Sequence, residues 1–446
     1  MNINKETQQF IHAHREDVVS QLAFMGRQHP LVDLPFALEQ IQGWQMARKK
    51  LPAWGACQQI IYPPHISMEQ CSSEVTARYK AALLSQWLSG QPAGDSLCGT
   101  QTSSAHCTLY DFTGGFGVDF SYMAQGFDHA VYVEQQSRLC DIARHNFSVL
   151  GLQSAEVVCG DGTAHLHALP FRYPSVGAVD REGADDDARR QRVVFYLDPA
   201  RRDQQGKKVF GMRDCQPDVL SLRDELMRKS DAVLLKLSPM FDWHAAVAEM
   251  SPDGKGTGCE VHIVSVANDC KELLLLLTHS FSPLRVVCIN DDQVFSYMPL
   301  TAPAHESNAS QPTVDAFLHW GLEESAPQES WFLYVPNASV MKAGAFNLLA
   351  GRYALAMVDR QSHLFISRHP IPEFPGRTFK VSALSTMNKR DLKDKLGGLD
   401  QANIAVRNFP MRVEELRKRL KLKDGGNVYL FATTVSNRHL IIIAEK

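Results

Sequence analysis

The chain has 446 residues, of which 46 are Lys or Arg, 49 are Asp or Glu, and 44% are hydrophobic. This length suits two or three domains better than a single core. The ordinary hydrophobic fraction excludes an intrinsically disordered or fibrous protein.

The apolar segments predict neither a membrane span nor a secretory signal. The longest leucine block, Leu273 to Leu277, is closed by charged residues. It is far shorter than the roughly 20 apolar residues of a membrane span, so it predicts a buried helix. The first residues lack an apolar stretch after a basic start, and we therefore expect a cytoplasmic protein.

The ten cysteines are scattered without a C-x-x-C pair, so no metal centre is predicted.

Residues 1–95 are predicted to form a helical domain. Within it, Ala77, Ala81, Leu84 and Leu88 recur at helical spacing, which indicates a helix with one apolar face. The segment just before this helix, residues 69–73, carries Glu, Gln and two serines. These side chains either cap the helix or form a lid over a cofactor, and both interpretations stay open.

Residues 96–290 alternate short apolar runs with helical segments. This alternation predicts an α/β domain built on a doubly wound parallel sheet with helices on both faces. Ligands of such sheets bind at the carboxyl ends of the strands. Seven strands are predicted, at CTLYD, AVYVE, EVVCGD, VVFYLD, AVLLKLS, VHIVSV and RVVCIN.

The last third of the chain begins with a Pro/Ser/Ala-rich stretch from about 299 to 330, which predicts a segment of low order. An α+β module is predicted beyond it. From Gly376 onwards, the chain contains 15 Lys and Arg and 7 Asp and Glu, a net charge of +8. This excess of positive charge predicts a surface that binds polyanions. The alternative is a set of basic side chains that only solvate a helix. The residues expected to contact RNA are Arg407, Arg412, Arg417, Lys418, Arg419, Lys421 and Lys423.

A glycine-rich loop, YDFTGGFGVDF at 110–120, lies where a predicted strand turns into a helix. Its glycines let the backbone approach a ligand, and the helix beginning near Val118 offers free N–H groups. The dinucleotide fingerprint G-x-G-x-x-G needs a glycine in its last position, where this chain has Phe120. The loop therefore disfavours NAD and FAD as ligands.

Four acidic residues close four successive predicted strands: Asp111, Glu134, Asp161 and Asp198. In a doubly wound sheet these side chains converge on one crevice. Carboxylates there can accept hydrogen bonds from an amine, from ribose hydroxyls and from an adenine amino group. An acidic crevice also suits a cationic sulfonium ligand better than a phosphate-rich one.

Four motifs, D-x-T-G-G-F-G at 111–117, Glu134, GDG at 160–162 and DPAR at 198–201, resemble motifs I to IV of class I S-adenosylmethionine-dependent methyltransferases. The resemblance implies a Rossmann-like, seven-stranded methyltransferase sheet and S-adenosylmethionine as the cofactor. It also implies that Glu134 binds the ribose and Asp161 the adenine. The residues implied to line the methionine part are Asp111, Thr113, Gly114, Gly115 and Gly117.

Longer stretches, ISMEQCSSEVTARYKA, YLDPARR, KLSPM and RNFP, are similar to methyltransferases with a carboxy-terminal THUMP-like domain. The similarity covers nearly the whole chain. It implies a ferredoxin-like element with a linker at 291–335 and a THUMP-like domain at 336–446. It further implies that the partner is a structured RNA, either tRNA or rRNA.

The DPAR motif is the predicted catalytic segment and consists of Asp198, Pro199, Ala200 and Arg201. An Asp followed by proline at a strand end predicts a tight turn whose backbone carbonyls face the site. In the amino-group methyltransferases that the motif resembles, this side chain and carbonyl accept the hydrogens of the target amine. Arg201 stands where those enzymes place a stacking aromatic residue, and Arg can stack on a base or hold a phosphate.

Covalent methylation of uracil C5 is the alternative chemistry for this motif. DPAR also resembles the DPPR of uracil-C5 RNA methyltransferases, which need a nucleophilic cysteine on the following strand. That strand carries Ser238 instead, and Cys215 lies earlier in the chain. C5 chemistry is therefore disfavoured.

The sequence thus predicts an S-adenosylmethionine-dependent methyltransferase that transfers a methyl group directly to a nucleobase nitrogen of structured RNA. Positioning and electrostatics supply the catalysis, without a metal. One alternative is a non-catalytic RNA-binding protein that keeps the fold, which the intact set of four acids disfavours. The other is a methyltransferase of a protein or small molecule, for which the basic carboxy-terminal end has no explanation.

Overall fold

The computed structural model describes residues 3–25, 28–90, 106–173, 191–200, 211–251, 258–279, 282–299, 311–322 and 330–446. The chain divides into two compact units. The first holds Met1–His262 with Lys271–Arg285, and the second holds Ile263–Cys270 with Val286–Lys446. The four predicted domain ranges stay predictions.

Helices open the first unit, as the spacing of apolar residues predicts. Asn4, Asp33 and Ser73 each accept a hydrogen bond from a backbone N–H of the first helical turn, which satisfies a donor that the helix leaves unpaired. Side chains of these helices, including Trp54, share one buried core with Phe116 of the glycine-rich loop. The helices are α1 (Lys5–His14), α2 (Val19–Leu22), α3 (Leu34–Lys50), α4 (Pro52–Ala56), α5 (His65–Gln70) and α6 (Glu74–Ser89).

A mixed sheet follows, with the strand order β3-β2-β1-β4-β5-β7-β6-β8-β9. Strands β1 to β5 pair in parallel, as predicted for a doubly wound sheet. The strands are β1 (Cys107–Asp111), β2 (His129–Glu134), β3 (Ala155–Cys159), β4 (Arg192–Leu197), β5 (Ala232–Leu237), β6 (Gly258–Val266), β7 (Asp269–Thr278), β8 (Arg285–Asn290) and β9 (Gln293–Tyr297).

Within the described ranges the sheet has nine strands, two more than the predicted seven. The short strand β9 pairs antiparallel with β8. The leucine block Leu273 to Leu277 lies in β7, antiparallel to β5, so the predicted buried helix is wrong. All five leucines are no more than 2% exposed. A strand that is covered on both faces reads as a continuous apolar run, which periodicity cannot distinguish from a buried helix.

Helices connect the parallel strands. In α8, apolar residues such as Leu139 and Ile142 are buried. Asn146 of the same helix is also buried, and its side-chain amide bonds both backbone polar groups of Ile61 at 2.9 Å. The helices are α7 (Val118–Met123), α8 (Ser137–Val149), α9 (Gly162–Ala168), α10 (Val219–Lys229) and α11 (Trp243–Met250).

The second unit contains a seven-stranded sheet with the order β11-β12-β10-β13-β16-β15-β14. All of its pairings are antiparallel except that of β14 with β15, which agrees with the predicted α+β module. Its strands are β10 (Trp331–Pro336), β11 (Ala356–Asp359), β12 (Leu364–Ser367), β13 (Gly376–Thr386), β14 (Asn403–Arg407), β15 (Val428–Val435) and β16 (Arg438–Glu445). Its helices are α12 (Gln311–Leu322), α13 (Ala338–Ala343), α14 (Phe346–Tyr353), α15 (Lys389–Leu396) and α16 (Val413–Leu420).

Helix α12 corrects the prediction of low order for residues 311–322, whereas residues 300–310 and 323–329 of the predicted stretch lie outside the described residues. Val314 and Phe317 of this helix are buried in one core with Trp331. The Pro/Ser/Ala composition of the stretch hid a helix that tertiary packing stabilises. In the described part of the chain, no helix is long and apolar enough to cross a membrane.

Candidate active site

The glycine-rich loop follows β1 as predicted, and two of its glycines have left-handed backbone conformations. Gly115 has φ +56° and Gly117 φ +80°, a region that side chains with a Cβ rarely occupy. A Cβ on Gly117 would lie 2.7 Å from the Phe147 ring, and one on Gly114 would lie 2.3 Å from the Tyr132 ring. A Cβ on Gly115 would meet no atom closer than 3.7 Å. The loop therefore packs tightly against the sheet and leaves open space beside Gly115.

Glu134, at the end of β2, fixes the conformation of this loop. One carboxylate oxygen accepts a hydrogen bond from the Gly115 N–H at 2.9 Å, and the other accepts one from the Gln136 N–H at 2.9 Å. The Gly115 carbonyl accepts a hydrogen bond from the Tyr132 hydroxyl. The loop and the second strand end thus form one rigid edge.

Asp111, at the end of β1, is buried with 1% exposure. Its carboxyl accepts hydrogen bonds from the backbone N–H of Thr113 at 2.9 Å and from the Thr113 hydroxyl at 3.2 Å. Burial raises the pKa of this carboxyl to about 8, against the lowering effect of the Thr113 bonds. A cationic ligand beside this buried carboxyl would stabilise its ionised form.

This pKa predicts how the stability of the free protein changes with pH. A raised pKa means that Asp111 contributes stability below pH 4 and loses it as the pH rises through about 8. Asp111→Asn removes this titration, so its free energy of unfolding should rise relative to wild type by about 1.4 kcal/mol per pH unit across that window. Urea unfolding of both proteins at pH 5, 6, 7 and 8 measures the difference. A constant difference across the series contradicts the assigned state of Asp111.

Asp161, after β3, immediately precedes α9 and is exposed. It accepts a hydrogen bond from the Ala164 N–H at 2.9 Å, as a helix N-cap, and one from the Gln135 side chain at 2.8 Å. Gln135 is next to Glu134 in the chain. Gly162 touches the glycine-rich loop, since a Cβ there would lie 2.1 Å from the Phe112 carbonyl oxygen.

Asp198, after β4, is linked to the first strand end through Thr113, whose hydroxyl accepts a hydrogen bond from the Asp198 backbone N–H at 2.7 Å. Pro199 is buried. Ala200 forms a bridge with Gln216, and its carbonyl accepts the Gln216 N–H at 3.0 Å. The Ala200 carbonyl is therefore engaged by Gln216, and the catalytic role predicted for Asp198, Pro199 and Ala200 stays a prediction. Arg201 lies outside the described residues.

Sequence reasoning missed Lys236, at the end of β5. Its ammonium contacts the Asp198 carboxylate at 2.5 Å and the Asp119 carboxylate at 3.5 Å. Burial alone lowers the pKa of Lys236, but Asp198, Asp119 and Glu272 raise it well above its usual value. The side chain of Lys236 is 12% exposed and that of Asp198 38% exposed. The register of β4 with β5, in which Leu197 lies beside Leu235, places these two residues next to each other.

A buried network of charges lies behind this ion pair. Lys80 of α6, with no exposed side-chain surface, contacts both oxygens of Glu272 at 2.7 Å and one oxygen of Asp119 at 3.1 Å. Asp119 also contacts Lys236, and it accepts a hydrogen bond from the Tyr196 hydroxyl at 2.7 Å. Burial raises the pKa of Asp119, but the two ammonium groups outweigh it and hold that pKa below its usual range.

The upstream segment 69–73 joins the same network. Ser72 is buried, donates a hydrogen bond to Asp119 at 2.7 Å and accepts one from Lys80 at 3.3 Å. Ser73 caps α6. Both serines were expected to cap this helix. Ser73 does so, whereas Ser72 connects the start of α6 to Asp119 and Lys80. The lid interpretation stays a prediction.

The candidate RNA-binding residues fall into two groups. Arg417 is engaged by its own unit, because it donates to the Ala402 carbonyl at 3.1 Å and to the Asp424 carboxylate at 2.6 Å. Arg407 is partly buried at the end of β14, and burial followed by the charge of Arg377 lowers its pKa. The five exposed residues are Arg412, Lys418, Arg419, Lys421 and Lys423.

Cys215 is buried at 3% exposure, and its thiol contacts the Gly211 carbonyl at 3.7 Å. Among the described residues, no group of three or more His, Cys, Asp and Glu is placed to hold a metal ion.

Two family models match the carboxy-terminal part of the chain. Residues 332–375 match a ferredoxin-like domain, and residues 376–446 match a THUMP domain-like model. Both matches begin later than the predicted ranges of 291–335 and 336–446. No curated protein sequence matches the chain.

Solved structures with the same fold include a candidate methyltransferase from Porphyromonas gingivalis W83, which is 24% identical, with a TM-score of 0.71 over 100% of this chain and 99% of that chain. An S-adenosylmethionine-dependent methyltransferase from Agrobacterium tumefaciens is 14% identical, with a TM-score of 0.29 over 46% of this chain and 61% of that chain. An O-methyltransferase from Bacillus cereus in complex with SAH is 12% identical, with a TM-score of 0.31 over 58% and 100% of the two chains. The full-length match and the two family models confirm the predicted fold and resemblance: a methyltransferase fold with ferredoxin-like and THUMP-like regions at its carboxy terminus.

Proposed function

We propose that this protein is an S-adenosylmethionine-dependent methyltransferase that acts on structured RNA. The observation that carries the proposal is the meeting of Asp111, Glu134, Asp161 and Asp198 at one edge of a methyltransferase sheet, where hydrogen bonds from Thr113, Gln135 and the glycine-rich loop connect them. In a doubly wound sheet, this edge is where ligands bind.

The donor set fits the cofactor. The open space beside Gly115 admits a ligand at the backbone of the loop, and the buried Asp111 carboxyl offers the partner that a methionine ammonium needs. Glu134 can accept hydrogen bonds from ribose hydroxyls, and Asp161 can accept one from an adenine amino group. The sulfonium supplies an electrophilic methyl group, and the protein positions the acceptor beside Asp198.

The acceptor predicted from the sequence is a nucleobase nitrogen. Asp198 supports it, since a carboxylate can accept the hydrogens of an amine and orient its lone pair. The ion pair with Lys236 favours a different acceptor, an oxygen, because it adds a positive charge that a nitrogen acceptor does not need.

Structured RNA, tRNA or rRNA, is favoured as the substrate by the THUMP-like match and by the exposed basic residues of α16.

Loss of cofactor binding in Gly115→Arg tests the enzyme proposal. Wild type should bind S-adenosylmethionine and S-adenosylhomocysteine with micromolar affinity, and Gly115→Arg should bind neither, because its side chain fills the open space beside the loop. Isothermal titration calorimetry measures both. Gly126→Arg is the matched control, since Gly126 is exposed and has open space around its Cβ position. Wild type that shows no heat and no thermal shift with either ligand refutes the methyltransferase proposal.

Charge reversal on α16 tests the RNA interface. Lys418→Glu with Arg419→Glu should weaken binding of a tRNA mixture. It should also make the slope of log affinity against log salt concentration less negative, by about 0.7 to 0.9 for each phosphate that the variant no longer binds. Both side chains are exposed, so cofactor affinity should not change. Filter binding from 50 to 200 mM salt measures the slopes. Lys49→Glu, an exposed reversal in the first unit, is the control, and an equal weakening in both variants contradicts an interface on α16.

The same assays separate the alternative functions. Cofactor binding together with RNA binding, but without methyl transfer, identifies a non-catalytic RNA-binding protein. Methyl transfer to a protein or a small molecule, with no transfer to RNA, identifies the other class of methyltransferase.

A further inference from the structure

The acceptor side of the site contains an ion pair and not a lone carboxylate. The Lys236 ammonium lies 2.5 Å from one Asp198 oxygen. The carboxylate is the more exposed partner, with 38% of its side chain accessible against 12% for Lys236. An acceptor that reaches Asp198 therefore meets a carboxylate with a positive charge directly beside it.

The surrounding residues fix this arrangement. The Asp198 backbone N–H donates to the Thr113 hydroxyl. Lys236 is held from the other side by Asp119, which in turn contacts Lys80. Lys236 remains protonated, because the acids around it outweigh the effect of burial on its pKa. The ammonium is therefore a permanent, positioned charge.

An amine acceptor gains little from such a pair. When a nitrogen attacks the sulfonium methyl, positive charge develops on the nitrogen before its proton leaves. A lone carboxylate would stabilise that charge, but the adjacent Lys236 ammonium offsets the attraction. Transition-state stabilisation by Asp198 is then weak for a nitrogen acceptor.

A hydroxyl acceptor has the opposite requirement. Its oxygen must lose a proton as it attacks, so negative charge develops on the oxygen. Asp198 can accept that proton, and the Lys236 ammonium stabilises the developing charge, as hydrogen-bond donors do in an oxyanion hole. The pair thus supplies both groups that an oxygen nucleophile needs.

We propose that the methyl acceptor is a hydroxyl oxygen held by Asp198 and Lys236, and that on RNA it is the ribose 2′-hydroxyl. The second part rests on the proposed RNA methyltransferase function. It follows because a nucleotide within an RNA chain carries one free sugar hydroxyl, the 2′-hydroxyl. In this reaction Asp198 is the base and Lys236 the electrostatic partner of the oxygen.

The step balances without a further reactant. A lone pair of the hydroxyl oxygen forms the O–C bond to the methyl group, and the electron pair of the breaking C–S bond stays on sulfur as a neutral thioether. The hydroxyl proton passes to the Asp198 carboxylate and then to solvent. Lys236 keeps its proton throughout.

Product identification tests the proposal on the wild-type chain. Small RNA from cells that lack the protein is incubated with the purified protein and S-adenosylmethionine carrying a labelled methyl group. The RNA is then digested to nucleosides for mass spectrometry. The expected product is a 2′-O-methyl nucleoside, and the modified site should resist alkaline hydrolysis, which needs a free 2′-hydroxyl. Label on a nucleobase overturns this inference and leaves the RNA methyltransferase function intact. Absence of label from every RNA, with cofactor binding intact, overturns the proposed function and this inference together.

Variants of Lys236 test its role. Lys236→Met should lower kcat by about 100- to 1,000-fold, with the affinity for S-adenosylmethionine nearly unchanged. Its rate should rise more steeply with pH than that of wild type, because the hydroxyl loses the cation that favours its ionised form. Lys236→Arg keeps the charge and should retain a larger share of kcat, so it separates loss of charge from loss of folding. Equal kcat and equal pH profiles in wild type and a folded Lys236→Met protein overturn the role of Lys236.

Discussion

Lys80→Met is expected to lower the free energy of unfolding by about 3 to 5 kcal/mol. Lys80 has no exposed side-chain surface and contacts two carboxylates, Glu272 and Asp119. Removing one partner of a buried ion pair leaves the remaining charge without compensation, which costs more than the pair itself contributed. Urea unfolding followed by tryptophan fluorescence measures the change.

Two further variants show whether unpaired charge causes the destabilisation. Lys80→Met combined with Glu272→Leu removes both members of the closest pair, so it should recover a large part of the stability. Arg48→Ala is the control, because Arg48 and Glu16 form an ion pair with side chains 51% and 64% exposed. Exposed pairs contribute about 0 to 1 kcal/mol. A Lys80→Met protein as stable as Arg48→Ala shows that the buried network does not stabilise the first unit.

Asp198→Ala is expected to slow methyl transfer by about 100- to 10,000-fold. Asp198 is the proposed base that accepts the proton of the attacking hydroxyl, and a positioned general base contributes a factor of about this size to the rate. Cofactor affinity should change much less, because Gly115, Glu134 and Asp161 remain. Single-turnover transfer of labelled methyl to RNA measures the rate, and calorimetry measures the affinity.

Asp224→Ala is a matched control for this prediction, since Asp224 is an acid of the first unit with 79% side-chain exposure. Full activity in Asp198→Ala shows that the catalytic site lies elsewhere.

Cys215→Ser should leave the rate of methyl transfer nearly unchanged, and no covalent adduct should form with a 5-fluorinated pyrimidine RNA. Formation of such an adduct would show that the methyl acceptor is a pyrimidine carbon.

The buried network also suggests why the amino-terminal helices and the sheet share a core. Ser72 and Lys80, on the chain before the first strand, contact Asp119 in the first turn of α7. Asp119 contacts Lys236, which pairs with Asp198. The position of α6 therefore bears directly on the geometry of the acceptor side. Variants on α6 should affect methyl transfer as well as stability.

The sequence by itself determined the strand ends and the glycine-rich loop. Each of the four strands β1 to β4 is a short apolar run closed by an acid or followed by one, and a parallel sheet places such ends at a common edge. The left-handed Gly115 and Gly117 stand where only glycine is free of a Cβ penalty. These features are local, so the order of residues along the chain was enough to predict them.

Only the tertiary structure decided the partners of these residues. Lys80 and Glu272 are 192 positions apart in the chain, and in the sequence each reads as an ordinary solvated charge. Their pairing depends on where α6 and β7 lie, and β7 itself reads as a helix from its leucines. Lys236 likewise reads as one polar residue in an apolar strand. It joins the candidate site because the parallel register of β4 and β5 places it beside Asp198, and register is set by packing between distant segments rather than by either segment alone.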